Sequence, residues 1–138
     1  MTQKEAAQIL AILKAAYPSF YKDMTKKDAI GTVNVWAVQF SKMPADIVLL
    51  AVNKCIATSQ YPPTPSEVKK KFQSIYWEAC ESLKANEIQS RLTDEQISYY
   101  KYIRDKTASA RYHDYEPTIL ELAFESNNQF LLGGGENG

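Results

Sequence analysis

Histidine and cysteine are scarce in this sequence, which contains one His and two Cys among its 138 residues. Cys55 and Cys80 form no metal-type spacing with each other or with His113, so we expect buried, reduced thiols and no metal site. His113 lies next to Asp114, without a Ser or Cys nucleophile in a recognisable motif, which indicates a surface side chain rather than a catalytic base. We therefore expect neither a cofactor nor enzyme activity.

Glycine and long apolar runs are also rare. Three of the five glycines are Gly133, Gly134 and Gly135, and they lack the Gly-Lys-Ser/Thr ending and the following helix of a phosphate-binding loop. The first residues lack the uninterrupted apolar core of a signal peptide, and no run approaches the roughly 18 apolar residues of a membrane span. These features predict a cytoplasmic protein with no membrane contact and no nucleotide-binding loop.

Charge is balanced over the whole chain, with 16 basic and 16 acidic side chains, so bulk charge gives no argument for nucleic-acid or membrane binding. The two signs are unevenly distributed, however. Residues 112–138 contain five acidic side chains and no Lys or Arg. An acidic end of this kind is typical of an interaction tail and equally of a terminus that is merely soluble.

Helical periodicity runs through most of the chain. Apolar side chains recur every three or four residues in five segments, most of them opened by a capping residue or a proline. The segments are 2–16, 25–40, 44–58, 65–91 and 93–111. The third is the most apolar and is predicted to be the central element. The predicted fold class is all-α, a small bundle of about four helices with a helical or partly disordered C-terminal extension.

The predicted domain organisation is a helical core domain at 1–90, a helical extension at 91–125 and a disordered tail at 126–138. Within the core, two helices have broad predicted apolar faces. On the first helix, Ala7 and Ala11 widen the stripe, and on the second helix Ile30 and Val35 join Trp36. These positions predict which sides of the two helices are buried.

The clearest helix start is the segment 61–67, Tyr-Pro-Pro-Thr-Pro-Ser-Glu. The two consecutive prolines cannot lie inside a helix. Thr64 is a preferred N-cap, Pro65 suits the first helical position, and Glu67 completes a capping box. The segment therefore predicts a break between three short helices and the longer, more charged helices that follow.

Basic and aromatic side chains of the last two predicted helices are the candidate nucleic-acid contacts. The basic triplet lies near the positive end of its helix, where it could meet a phosphate or an acidic partner, and the tyrosines could stack on single-stranded nucleic acid. A solvated lysine face and tyrosines packed in the core are the competing interpretations, and the neutral net charge favours them. The candidate residues are Lys69, Lys70, Lys71, Tyr99, Tyr102 and Arg104.

A short acidic amphipathic segment, residues 118–125, follows a break in the helical pattern at 112–117. Two helical turns rarely persist alone in water, so we hypothesise that the segment folds into a groove of a partner protein. The candidate partner-binding residues are Ile119, Leu120, Glu121, Leu122, Phe124 and Glu125.

Three stretches of the first half carry a family resemblance. They are Tyr17-Pro18 within segment 13–20, Asn34 to Trp36 within segment 32–36, and Tyr-Pro-Pro-Thr at 61–64. Together they resemble the replicative-helicase loader and inhibitor family of bacteriophages that infect Gram-positive bacteria, over about residues 1–75.

The resemblance implies a compact helical N-terminal domain and a flexible C-terminal region that contacts the hexameric DnaB-type replicative helicase. It also implies that the protein restrains the helicase, and that an origin-bound initiator triggers its delivery to single-stranded DNA. The helical pattern at 92–125 departs from a mostly unstructured tail. A DNA-binding replication or regulatory protein of a phage or prophage is the alternative, and an oligomerising structural phage protein is the third interpretation.

Overall fold

The computed structural model describes residues 1–108, which form six helices and no strand. The first five are α1 (Gln3–Ala16), α2 (Pro18–Tyr21), α3 (Lys26–Gln39), α4 (Ala45–Thr58) and α5 (Pro65–Gln89). Residues 94–108 are also helical and are called α6. The predicted all-α bundle is therefore confirmed, with one additional short helix, α2, in the segment predicted to be a connector.

Reciprocal capping boxes open four of these helices. At the start of α5, for example, the Glu67 amide donates to Thr64 Oγ1 at 3.2 Å, and the Thr64 amide donates to Glu67 Oε1 at 2.9 Å. The same exchange joins Thr2 to Glu5, Thr25 to Asp28 and Thr93 to Gln96. Each box satisfies amide groups that the first helical turn leaves without a partner, so helix starts follow directly from the local sequence.

The core is built from two helix pairs that meet along α1 and α4. Helix α1 packs on α3, α4 packs on α5, and α1 also contacts α4. Helix α4 thus contacts two helices, as predicted, and its buried residues recur at helical spacing. It shares the central position with α1, which contacts α2, α3 and α4. The largest completely buried side chains include Leu13 of α1, Phe40 at the end of α3 and Phe72 of α5.

The start of the chain closes one end of this core. The α-ammonium group of Met1 donates hydrogen bonds to the carbonyl oxygens of Phe40, Ser41 and Met43 at 3.1–3.2 Å. These carbonyl groups follow the C-terminal end of α3, where the negative end of the helix dipole favours a positive charge. The contact therefore holds α1 against the connection between α3 and α4.

Helix α6 belongs to the same compact unit as the core, because that unit comprises Met1–Thr107. Ile103 and Thr107 are buried, and the Tyr102 hydroxyl donates to the Asp46 carboxylate at the start of α4. The predicted boundary at residue 90 falls at the end of α5, where Ser90 adopts a left-handed conformation with φ of 51°. The rest of the predicted extension and the predicted tail at 126–138 lie outside the described residues, so the domain division stays a prediction.

The predicted apolar face of α3 is partly wrong. Trp36 is buried and its ring lies 5.3 Å from that of Phe40, but Ile30 and Val35 are each more than half exposed. The reason is that, among the described helices, α3 packs extensively on α1, whereas α5 reaches only its end through Lys69, so one side of the helix suffices to cover the core. Apolar residues occur on several sides of α3, so a prediction from these residues overestimates the buried part of the helix.

The two cysteines are free thiols in different environments. Cys55 is buried on α4, and burial raises the pKa of its thiol. Cys80 is only partly buried on α5, so the prediction of two buried thiols holds for Cys55 alone.

Candidate partner-binding surfaces

The predicted partner-binding residues, Ile119 to Glu125, lie outside the described part of the chain. The candidate nucleic-acid contacts lie within it, on α5 and α6. These residues do not form one surface, because they contact different parts of the protein. Both sets of residues stay predictions.

The basic triplet of α5 divides between two neighbours. Lys69 Nζ donates to Gln39 Oε1 at 3.1 Å and lies 5.8 Å from the centre of the Phe40 ring, so this lysine covers the end of α3. Lys70 and Lys71 instead line a groove of about 340 Å³ between α4 and α5. Consecutive residues of a helix point about 100° apart, which explains why the triplet does not act as one cationic patch.

The charges around the α4–α5 groove balance once the adjoining groove is included. Together with a neighbouring groove that shares Lys71, it is lined by three lysines, the third being Lys54, and by three glutamates, Glu67, Glu78 and Glu81. Binding to a phosphate backbone depends on excess positive charge. The balance therefore offers no net attraction for nucleic acid at this position.

The tyrosines of α6 also have separate surroundings. The Tyr102 hydroxyl donates to the Asp46 carboxylate, and this hydrogen bond raises the pKa of the phenol because it stabilises the protonated form. Tyr99 stacks edge-to-face against Tyr100, with ring centres 5.5 Å apart. Arg104 pairs with the adjacent Asp105 at 3.0 Å. Tyr102 thus has a structural role, attaching α6 to α4.

Two of the stretches that carry the family resemblance meet at one end of the bundle. The Tyr17 hydroxyl donates to the Ser59 carbonyl oxygen at 2.9 Å, and the Phe20 ring contacts the Tyr61 ring edge-to-face at 5.7 Å. Ser59 Oγ accepts a hydrogen bond from the Tyr61 amide at 3.1 Å, which orients the segment before the prolines. We call this cluster of Tyr17, Phe20, Ser59 and Tyr61 the aromatic junction.

The aromatic junction combines a buried anchor with exposed rings. Tyr17 is 7% exposed, whereas Phe20 and Tyr61 are 53% and 64% exposed. Edge-to-face pairs contribute about 0.5–1.5 kcal/mol beyond their buried area, so the exposed rings are held in place. Rigid exposed aromatics are the side chains that most often dominate protein–protein interfaces.

A second concave surface, which the apolar pattern did not predict, lies between α1 and α3. This α1–α3 groove has a volume of about 400 Å³ and runs from Gln3 and Asn34 at one end to Lys14 and Lys26 at the other. Ala7, which was predicted to widen the buried stripe of α1, is exposed on its floor. A stripe of alanines beside larger apolar residues is the signal that could have indicated a shallow surface there.

The described residues contain no group of three or more His, Cys, Asp and Glu placed to hold a metal ion. Within the same part of the chain, none of the helices is both long and apolar enough to cross a membrane.

A family model matches residues 1–69, half of the chain. The model is G39P_N, the N-terminal domain of the helicase loader and inhibitor of phage SPP1. The chain belongs to this family. A search of curated proteins and a search of solved structures found no match.

The G39P_N match confirms the resemblance inferred from the sequence and locates it in the structure. Residues 1–69 comprise α1 to α4 and the first turn of α5. They contain both sides of the aromatic junction, and also Asn34, whose Oδ1 accepts a hydrogen bond from Gln3 Nε2 at 2.8 Å. The family is one of phage helicase loaders, generally adaptors rather than enzymes, and its partner in general is a helicase.

Proposed function

We propose that this protein is a non-enzymatic adaptor of phage DNA replication, which binds the replicative helicase, restrains it and helps to load it at the origin. The observation that carries the proposal is the family match over residues 1–69. The fold is compatible with it, because the matched residues form a compact helical domain that presents exposed aromatic and apolar surfaces. Such surfaces serve recognition of proteins rather than chemical conversion of a substrate.

The proposed partner is a hexameric DnaB-type helicase in the cytoplasm of the bacterial host. An origin-binding initiator is the proposed second partner, whose arrival releases the helicase onto single-stranded DNA. The proposal assigns helicase contact to residues 119–125, where four large apolar side chains lie beside Glu121 and Glu125. An amphipathic segment of two turns suits a helix-in-groove contact, since ordering and binding then occur together.

The test is a binding assay with the purified, hexameric replicative helicase of the host and the full-length protein. The double substitution Leu120→Asp and Phe124→Asp is expected to weaken binding by about tenfold or more, because it places charge on the apolar side of the segment. The double substitution Phe130→Asp and Leu132→Asp is the matched control, since it makes the same chemical changes outside the segment. The wild-type protein is also expected to lower the ATPase and unwinding rates of the helicase.

Absence of helicase binding by the wild-type protein would contradict the proposed function. If the wild type binds and the double variant binds equally well, the contact lies elsewhere and the assignment to residues 119–125 is wrong. A gel shift with single- and double-stranded DNA separates the adaptor from a DNA-binding protein, because only the latter retards DNA without helicase.

A further inference from the structure

The α1–α3 groove has the dimensions of a helix-binding site. Its lining extends along α1 from Gln3 to Lys14, a distance of about 16 Å at 1.5 Å per residue. This length corresponds to about three turns of a second helix. The groove is shallow and open along its length, because Ala7, Ala11 and Ile30 in its lining are exposed. Side chains of a guest helix can therefore enter between those of α1 and α3.

The chemistry of the groove changes along its length. The middle is apolar, formed by alanines together with Leu10, Ile30 and Val33, and no carboxylate lines it anywhere. At one end lie the ammonium groups of Lys14 and Lys26, and neither lysine forms an ion pair with the described residues. The occupant that complements this pattern has an apolar stripe and carboxylates near one end.

The apolar middle of the groove is open to solvent at Ile30 of α3. Ile30 lines the groove and is 54% exposed, so a guest helix would cover apolar surface there.

We propose that the α1–α3 groove receives one helix of the helicase, with an apolar stripe on the groove floor and acidic side chains against Lys14 and Lys26. The inference rests on the proposed function and adds a contact to the one assigned to residues 119–125. Its support is the location of the groove between residues 3 and 34, entirely inside the part of the chain that matches the family model. Residues 119–125 lie outside that match.

The experiment compares affinities for the purified hexameric helicase among full-length variants. Ala7→Glu places bulk and negative charge on the groove floor, and Ala85→Glu makes the same change at an exposed position of α5. The pair Lys14→Glu and Lys26→Glu reverses the charge at the end of the groove, and Lys84→Glu with Lys101→Glu is its matched control. Circular dichroism melts identify any variant that does not fold.

We expect both groove variants to bind about tenfold or more weakly and both controls to bind within about twofold of the wild type. The charge-reversed groove variant should also lose part of the salt dependence of binding, since screened charge pairs are removed. A photoreactive benzoylphenylalanine at position 7 should crosslink to an acidic helix of the helicase, while the same residue at position 85 should not.

Each outcome bears on a different proposal. Folded groove variants that bind as tightly as the wild type would overturn the groove contact and leave the adaptor function standing. A wild-type protein that does not bind the helicase at all would overturn the adaptor function, and the groove assignment with it. A crosslink from position 7 to a segment that is not helical or not acidic would also refute the inference.

Discussion

The capping box at the start of α5 permits a quantitative prediction about Thr64. Thr64 Oγ1 accepts a hydrogen bond from the Glu67 amide at 3.2 Å, and the Glu67 side chain accepts one from the Thr64 amide at 2.9 Å. Replacing Thr64 by Ala removes the first hydrogen bond and leaves that amide to water. We expect a loss of about 1 kcal/mol, the usual value for an N-cap.

This loss should be visible as a shift of the melting temperature. In a domain of roughly 100 residues, 1 kcal/mol lowers Tm by about 4–8 °C, which circular dichroism at 222 nm resolves easily. Thr64→Ser should restore most of the stability, because serine retains the capping oxygen. Ser66→Ala is the control, since Ser66 is exposed in the first turn and makes no capping bond.

Helicase binding should be unchanged in folded Thr64→Ala protein. The residue acts on the start of α5, and its hydroxyl group is engaged in the capping bond. A Tm equal to that of the wild type would refute the assigned cap energy. Lost binding with an intact fold would instead show that the segment at 61–67 is itself part of the contact surface.

Three further predictions concern stability. Gly31→Ala should stabilise the protein by about 0.5–1 kcal/mol, because a methyl group there meets open space and removes the glycine penalty; a lower Tm would contradict the helix description at this position. Phe72→Ala should lower the free energy of unfolding in urea by about 3–5 kcal/mol, because the ring is completely buried. The control is Gln73→Ala at the exposed neighbouring position, which should change the free energy of unfolding little. The hydrogen bond to Asp46 raises the pKa of Tyr102 above its ordinary value of 10.0, so its stabilising contribution is present below pH 10 and is lost as the pH rises through the folded-state pKa. Burial also raises the pKa of Tyr21 and Tyr99, so thermal melts between pH 8 and 11 should show a smaller decline for Tyr102→Phe, whereas Tyr61→Phe, which removes an exposed phenol, should retain the full decline.

Helix starts and ends could be predicted from the sequence because their causes are local. Four Thr residues with Glu, Asp or Gln three positions later open helices, and Pro18 separates α1 from the short α2. Hydrogen bonds in a capping box span only three residues. The short helix α2 was not predicted, because its four residues are too few for periodicity to reveal and it has no side-chain cap.

Burial was less predictable, because it depends on which helices become neighbours. Ile30 and Val35 fit an apolar face, yet α3 packs mainly on α1 among the described helices and leaves them exposed. Ala7 fitted the stripe of α1 in the same way and lies instead on the floor of an open groove. The hydrophobic pattern of one helix records its own composition and carries no information about the number of partners it finds.

The sequence by itself determined the all-α class, the positions of the helices and, through three short stretches, the family. Each of these depends on residues close together in the chain. Only the tertiary structure decided that Tyr17 and Tyr61 meet in one aromatic junction, that Lys69 turns away from Lys70 and Lys71, and that α1 and α3 enclose an apolar groove with a basic end. Those contacts join residues up to 42 positions apart (Tyr17 and Ser59), and they arise from the packing of whole helices rather than from any local preference.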